Sequence, residues 1–411
     1  MSIFRLLAAG ALLALAACAT HRTAAQPPLP PAPVILISID GFRPDYLDRG
    51  VTPTLSKLAA EGVRAQGMRP SFPSLTFPNH YTLVTGLRPD RHGIVNNAMT
   101  DPDHPGVVFT LGDRAVNTQS YWWNDAAPLW VSAERQGVRA ATMFWPGSEV
   151  EIRGYRPRDW VVFDQAMPSA VRVDRVLSWL DRPAAEHPRF ITLYFDIVDT
   201  AGHLNGPDSA EVNAAAREVD YAIGKLVEGL AARGLAHANI VVVADHGMAP
   251  VSVERTVDLD AVIAPARVRY VWAPGPIAGI EPAPGLSEAA LAPLLGRHGH
   301  AECWKRGEMP ARFHFGAHRR VPSVICLADT GWTMVSTGSP RRYPIRGGAH
   351  GYDPDDPLMA ALFIAHGPAF RAGASVPTFD NVNVYPLLAG LIGVTPDAND
   401  GDPAVLAGAL K

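Results

Sequence analysis

Lysine is scarce in this 411-residue chain: only four of its 36 cationic side chains are lysine, and the rest are arginine. Nor is there an excess of positive charge. Thirty-six cations against 40 acids leave a net charge of −4, which argues against a protein that holds nucleic acid through its backbone phosphates, since such domains run basic. The arginine bias is therefore read as composition, and no nucleic-acid-binding surface is expected. Charged residues make up only 18%, below the usual quarter, while 47% are hydrophobic; that balance excludes global disorder. No internal repeat occurs, and no strand–GxxxxGK–helix phosphate loop, so the chain is not of that nucleotide-binding type. Cysteine is nearly missing, with three in all.

What is present begins with an address. Arg5 precedes an apolar run from Leu6 to Ala17 that is too short to cross a bilayer comfortably, which takes about 20 residues, but that suits a secretory signal. The run ends Leu15-Ala16-Ala17-Cys18, which resembles a bacterial lipoprotein lipobox. On that reading 1–18 is the signal segment, and Cys18 is the lipid-anchored first residue of an exported protein, periplasmic or outer-membrane-associated. The alternative is plain secretion with cleavage near Ala25. Residues 19–33 form a Pro-rich extended spacer, and 34–411 the catalytic domain. Cys303 and Cys326 remain; in an exported protein the pair forms a disulfide most simply, with two buried thiols as the alternative.

Along the domain, buried β-branched runs alternate with helical stretches. Val34 to Ile39, Phe190 to Val198 and Asn239 to Ala244 read as strands covered on both faces. Thr54 to Gly62 and Ser209 to Arg233 read as helices. The alternation predicts an α/β fold with a mostly parallel central sheet and helices on both faces. The stretch from about Arg267 to Tyr343 breaks the pattern and reads as an inserted cap or small α+β subdomain. In such sheets ligands bind beyond the carboxyl ends of the strands, and Asp40, Asp199 and Asp245 all stand there.

Imidazoles accompany them. His203 follows Asp199 by four residues; Gly202 and the preceding strand predict a tight loop for this pair rather than a helix. His246 adjoins Asp245, and His350 sits in Gly347-Gly348-Ala349-His350-Gly351. Three carboxylates and three imidazoles favour zinc or a similar transition metal over calcium or magnesium. Six ligands suit two ions with open positions, a pair able to clamp both oxygens of an in-line phosphoryl displacement. Singly, each has a blander explanation: an aspartate at a strand end can cap the next helix. The other histidines, among them His80, His92, His298, His300, His314 and His318, lack such context and are read as structural. Thr76 stands just before or at the start of a helical segment, where free N–H groups favour an anionic phosphate; it is a nucleophile or an ordinary N-cap.

The motifs Ile39-Asp40-Gly41-Phe42-Arg43, Thr76-Phe77-Pro78-Asn79, His92-Gly93-Ile94-Val95-Asn96-Asn97, Phe144-Trp145-Pro146-Gly147-Ser148, Asp199 to His203, Ala244-Asp245-His246-Gly247-Met248 and His350-Gly351-Tyr352 occur in one order. Together they resemble the nucleotide pyrophosphatase/phosphodiesterase family of the alkaline phosphatase superfamily, in its compact bacterial form, from about Pro33 onward. The resemblance implies an alkaline phosphatase-like fold and two zinc ions, one held by Asp40, Asp245, His246 and Thr76, the other by Asp199, His203 and His350. It implies that Thr76 attacks phosphorus to give a covalent threonyl intermediate, later hydrolysed by water. Asn97, with Asn96 as its neighbouring alternative, would donate to a phosphate oxygen. Phe77 and Tyr155 would sandwich a nucleobase, with Trp122, Trp123 and Trp145 as further wall candidates. The resemblance also implies that the cysteine-rich and nuclease-like domains of the animal members are expected to be absent. The expected substrate is a nucleotide diester or pyrophosphate, giving a nucleoside 5′-monophosphate; the alternatives are lipid head-group esters, such as choline phosphoesters, or other phosphate esters at the same metals, and a non-catalytic binding lipoprotein.

Overall fold

The run Val34–Ile39 has no accessible surface at five of its apolar positions and none at Ser38, so it must be covered on both faces, and the computed structural model places it in the middle of an eight-stranded sheet. The model describes residues 33–340 and 345–411. The signal segment, Cys18 and the Pro-rich spacer up to residue 32 lie outside the described residues.

The sheet contains, in chain order, β1 (Val34–Ile39), β2 (Val63–Ala65), β3 (Ala140–Met143), β4 (Asp159–Trp160), β5 (Phe190–Phe195), β6 (Asn239–Val243), β7 (Phe363–His366) and β8 (Ala374–Val376). Across the sheet the order is β8-β2-β7-β6-β1-β5-β3-β4. Every pairing is parallel except the two made by β7. The mostly parallel α/β sheet read from the sequence is borne out. Central β1 pairs β5 on one side and β6 on the other, with Val34 level with Phe190 and Asn239. That register brings the strand ends at Asp40, Asp196 and Ala244 to one edge, from which the next residues enter the site.

Helices α1 (Pro53–Glu61), α3 (Ser169–Trp179) and α5 (Ala210–Ala232) pack together over the sheet, while α2 (Thr76–Thr85) packs with α6 (Val384–Ile392), which also touches β1. α5 starts as its sequence predicts: Ser209 caps it by accepting the Val212 N–H. The remaining helix of consequence, α4 (Ile197–Asn205), corrects an expectation. Asp199 and His203 are on a helix, not in a loop. Gly202 does not break it; a Cβ there would meet the Met248 side chain at 3.0 Å, so close packing explains the glycine. The four-residue spacing therefore does put both side chains on one helix face.

Within the predicted insertion lies a second, antiparallel sheet of five strands, ordered Val268–Trp272, Ile277–Pro282, Val324–Ala328, Ala301–Lys305 and Gly296–His298. Cys303 and Cys326 oppose each other on neighbouring strands and form the expected disulfide. This region grips the segment leading to α2. Phe313 and Phe315 pack on Phe72 with ring centroids 4.7 and 5.2 Å away. Buried Arg320 pairs with buried Asp101 at 2.6 Å and donates to the Gly93 and Trp122 carbonyls. The hydrogen bonds offset the cost of desolvating both charges.

Candidate active site

Thr76 is the first residue of α2, after an extended Leu75. Asn79 ties the approach down: its Oδ1 accepts the Ser71 N–H and its Nδ2 donates to the Pro73 and Leu75 carbonyls. Pro78 is tolerated because the first turn needs no N–H there. The Thr76 hydroxyl does not cap the helix. Its Oγ1 lies 3.3 Å from His246 Nε2, beyond the ends of β1 and β6, and the ordinary N-cap reading is set aside.

The six sequence-predicted ligands converge. His246 Nε2 is 3.0 Å from Asp245 Oδ2 and 3.4 Å from Asp40 Oδ1. His203 Nε2 is 3.4 Å from Asp199 Oδ2 and 3.1 Å from His350 Nε2. Asp40, Asp245 and His246 form one potential cation cluster, and Asp199, His246 and His350 another, with ligand atoms within 4.8 Å of one another. His246 thus stands between the two, its ring stacked on that of His350 at 3.5 Å. Gly41 closes the arrangement. Its φ of +68° suits glycine, its N–H donates to Asp245 Oδ1, and a Cβ would press on Asp199 at 3.2 Å.

All three imidazoles have the same orientation. Their Nδ1 atoms lie 2.9 Å from the carbonyls of Gly247, Gly348 and Ser74 for His246, His203 and His350 respectively. A carbonyl can only accept, so each Nδ1 carries the hydrogen and each Nε2 presents a lone pair inward, the second-shell pattern of metal-bound histidine. Asp40 Oδ1, Asp199 Oδ1 and Asp245 Oδ2 are buried with no hydrogen-bond donor. Burial, then the charges of Asp245 and Asp199, push Asp40 well above the usual carboxylate range. Burial also raises Asp199 despite nearby His203 and His246. Burial works on Asp245 too, but the adjoining His246 and His80 imidazoles outweigh it and hold this carboxyl well below the ordinary range. Lone pairs aimed at one another and donor-less buried carboxylates fit bound cations, and the residues present suit such a group.

Beside these ligand side chains lies a cavity of about 450 Å³ whose lining includes Asp40, Thr76, Phe77, Asp199, Glu149 and Phe163. Trp123 and Trp145 line it; Trp122 is instead packed in the core. Tyr155, predicted as a base-stacking partner of Phe77, does not line the cavity and is 38% exposed elsewhere. It is held in a tight backbone bridge with Ile152. Phe163, eight residues on, does line the cavity and is itself 42% exposed. Its N–H donates to Glu149 Oε1 at 2.7 Å, and its ring meets Phe144 edge-on. Of the two asparagines, Asn97 is bonded to the start of α2, its Oδ1 accepting the Phe77 N–H at 2.9 Å, whereas Asn96 turns back to the Ala98 N–H.

Sequence reasoning missed three contributors. Tyr194 Oη donates to Asp40 Oδ2 at 2.6 Å. His80, read as structural, touches Asp245. Buried Arg172 braces the cavity wall, pairing with Asp196 and donating to the carbonyls of Tyr194, Met167 and Gln165. A signal existed for His80 alone, which lies one helical turn from Thr76.

A threonine hydroxyl at a helix start, facing clustered carboxylates and imidazoles at the edge of a mostly parallel sheet, is the arrangement of the alkaline phosphatase-like fold. A model of the type I phosphodiesterase / nucleotide pyrophosphatase family matches residues 34–353. The chain belongs to this family and is an enzyme of the phosphodiesterase/pyrophosphatase class. It is 40% identical over 385 residues to an uncharacterized pyrophosphatase/phosphodiesterase of Schizosaccharomyces pombe, covering 90% of this chain and 78% of that one. With ectonucleotide pyrophosphatase/phosphodiesterase family member 1 of Rattus norvegicus it shares 37% identity over 392 residues, 92% of this chain but 43% of the rat protein. Among solved structures, murine ectonucleotide pyrophosphatase/phosphodiesterase 5, as an inactive threonine-to-alanine variant in complex with AMP, matches with a TM-score of 0.87 and 30% identity, over 92% of this chain and all of that one.

Proposed function

We propose that the chain hydrolyses phosphodiester or pyrophosphate bonds of nucleotides and releases a nucleoside 5′-monophosphate, with Thr76 as nucleophile and two zinc ions as cofactors. The observation that carries this reading is the place of Thr76 Oγ1, 3.3 Å from His246 Nε2 and at the mouth of the aromatic cavity. The AMP held by the murine relative supports a nucleotide as the occupant.

Asp40, Asp245 and His246 would hold one ion beside Thr76, and Asp199, His203 and His350 the other. Bound there, zinc would supply the positive charge that makes a threonine hydroxyl acidic enough to attack and that neutralises the departing oxygen. The chain's own residues do the rest. Thr76 Oγ bonds to phosphorus as the bond to the leaving oxygen breaks, and water later cleaves the threonyl ester. The Thr76 backbone N–H, unpaired by position at the helix start, and the Asn97 amide face the non-bridging oxygens. Asn97 is kept in place by the Phe77 N–H that its Oδ1 accepts. Phe77 and Phe163 flank the space for a base, where stacking contributes roughly 1–3 kcal/mol. The paired Cys303 and Cys326 support export to an oxidising compartment, where Cys18 would anchor the protein to a membrane.

The test compares kcat/KM of the zinc-loaded protein for nitrophenyl esters of a nucleoside 5′-monophosphate, of phosphocholine and of phosphate. Preference for the nucleotide diester, with at least about a 10³-fold loss in Thr76→Ala and zinc content retained, is expected. Preference for phosphocholine or the monoester would overturn the substrate class and leave the metal site; full activity in Thr76→Ala would overturn the nucleophile.

A further inference from the structure

His80 belongs to neither cation cluster, yet one N–H of its ring faces both parts that the reaction must keep in register. It lies four residues after Thr76 on α2 and leans toward the helix N-terminus, as helical side chains do. That brings Nδ1 to 2.9 Å from the Thr76 carbonyl and 3.4 Å from Asp245 Oδ2. Both neighbours are acceptors, so Nδ1 carries the hydrogen: it donates to the Thr76 carbonyl, and the carboxylate oxygen stands beside it in electrostatic contact. On the far side Ser38 Oγ lies 2.8 Å from Nε2, which in this tautomer accepts the hydroxyl hydrogen. The ring is fully buried and wedged edge-on between Trp145 and Tyr194, with centroids 5.0 and 5.1 Å away. Tyr194 is the side chain that donates to Asp40. His80 therefore has no freedom to rotate or to exchange tautomers without breaking several contacts.

Asp245 shows why this matters. Its Oδ1 is held by the Gly41 N–H, while its Oδ2 accepts no hydrogen bond and lies 3.0 Å from His246 Nε2 and 3.4 Å from the N–H edge of His80. Without that group nothing on the helix side sets the carboxylate's rotation. The nucleophile and the ligand come from different elements, α2 and the end of β6, and no covalent path shorter than 160 residues joins them.

We propose that His80 is a positioning residue that sets the register between Thr76 and Asp245, its single Nδ1–H fixing the first turn of α2 and the ligand carboxylate around one cation. The proposal rests on the reading of Thr76 and Asp245 given above.

A buried histidine that only fills space would be replaced without loss by a ring of like size, whereas a donor at Nδ1 is imitated by asparagine, whose Nδ2 stands the same number of bonds from the backbone. Glutamine places its amide one bond further out, at the Ser38 side. The experiment measures zinc affinity of the full purified chain by competition with a chromogenic chelator, together with kcat and KM for the nitrophenyl nucleotide ester, for wild type, His80→Phe, His80→Asn and His80→Gln. We expect His80→Phe and His80→Gln to weaken one of the two zinc sites by about 10- to 100-fold, the usual effect of removing such an outer partner. Their kcat should fall alongside, with KM within a factor of about two, while His80→Asn stays within a few-fold of wild type. Wild-type zinc affinity and kcat in a folded His80→Phe would overturn the proposal, as would equal losses in His80→Asn and His80→Gln. Should His80→Phe not fold, the asparagine–glutamine pair decides alone. Wild-type protein that takes up no zinc overturns the parent reading, and the proposal falls with it; zinc uptake with indifferent His80 variants overturns the proposal only.

Discussion

His203 Nε2 and His350 Nε2 lie 3.1 Å apart, and both rings have turned their Nδ1 hydrogens outward to backbone carbonyls. Two imidazole lone pairs at that separation repel unless a positive charge stands between them. Burial, then the neighbouring His246 and His203, hold His350 well below its ordinary pKa, which keeps its Nε2 available to a cation. Asp199 faces the same point from α4.

Metal removal should therefore be felt in stability as well as in turnover. Dialysis against a strong chelator is expected to abolish hydrolysis of the nitrophenyl nucleotide ester and to lower the thermal midpoint, with both restored by zinc. His350→Ala should reduce bound zinc from two ions per chain to one, read by elemental analysis. Unchanged zinc content in that variant would remove His350 from the ligand set.

The aromatic wall separates two residues that the sequence cannot rank. Phe163 lines the cavity together with Phe77, while Tyr155 stands outside it. If a base stacks there, Phe163→Ala gives up a contact of roughly 1–3 kcal/mol, a factor of about 5 to 150 in binding. KM for the nucleotide ester should rise by that order with kcat little changed, and KM for nitrophenyl phosphate, which has no base, should not move. Tyr155→Ala should match wild type on both. A KM increase confined to Tyr155→Ala would return the stacking role to that tyrosine.

The contrast between these aromatics shows where the sequence stops being legible. Asp40 and Asp245 could be read because a buried β-branched run announces its own end, and whatever follows it emerges at the ligand edge of the sheet. Thr76 and the ligand set rested on motif order, and the coordinates bring all of them to one point. The loop predicted around Asp199 failed because Gly202 looked like a helix breaker, when its role is to admit Met248 from another segment. Tyr194 was invisible because its partner Asp40 is 154 residues earlier in the chain, and Phe163 and Arg172 because irregular loop and side-chain-to-carbonyl contacts leave no periodic trace in the sequence. His80 was read as structural although its helical spacing from Thr76 was in plain view, because Asp245, its other partner, is 165 residues later in the chain.

His92 supplies a stability test away from the metals. Buried against α2, it accepts the Ile94 N–H at Nδ1, and its Nε2 reaches the Pro78 carbonyl at 3.2 Å and Thr82 Oγ1 at 3.0 Å. The ring is thus neutral with its hydrogen on Nε2, and Nδ1 is taken up by the Ile94 N–H. Burial, then the charge of His318, push its pKa down to about 3, against about 6.5 in an unfolded chain. Between those values the unfolded chain takes up a proton that the folded one refuses, so the stability from keeping His92 neutral is whole above about pH 6.5 and drains as pH falls toward 3, at up to about 1.4 kcal/mol per pH unit. Carboxylates and metal ligands titrate in the same window, and comparison with His92→Gln subtracts them. In urea unfolding at fixed zinc concentration, wild type should exceed the variant most near pH 7, and its advantage should shrink steadily down to pH 4.5. An advantage constant across that range would mean that His92 is not held neutral by the fold.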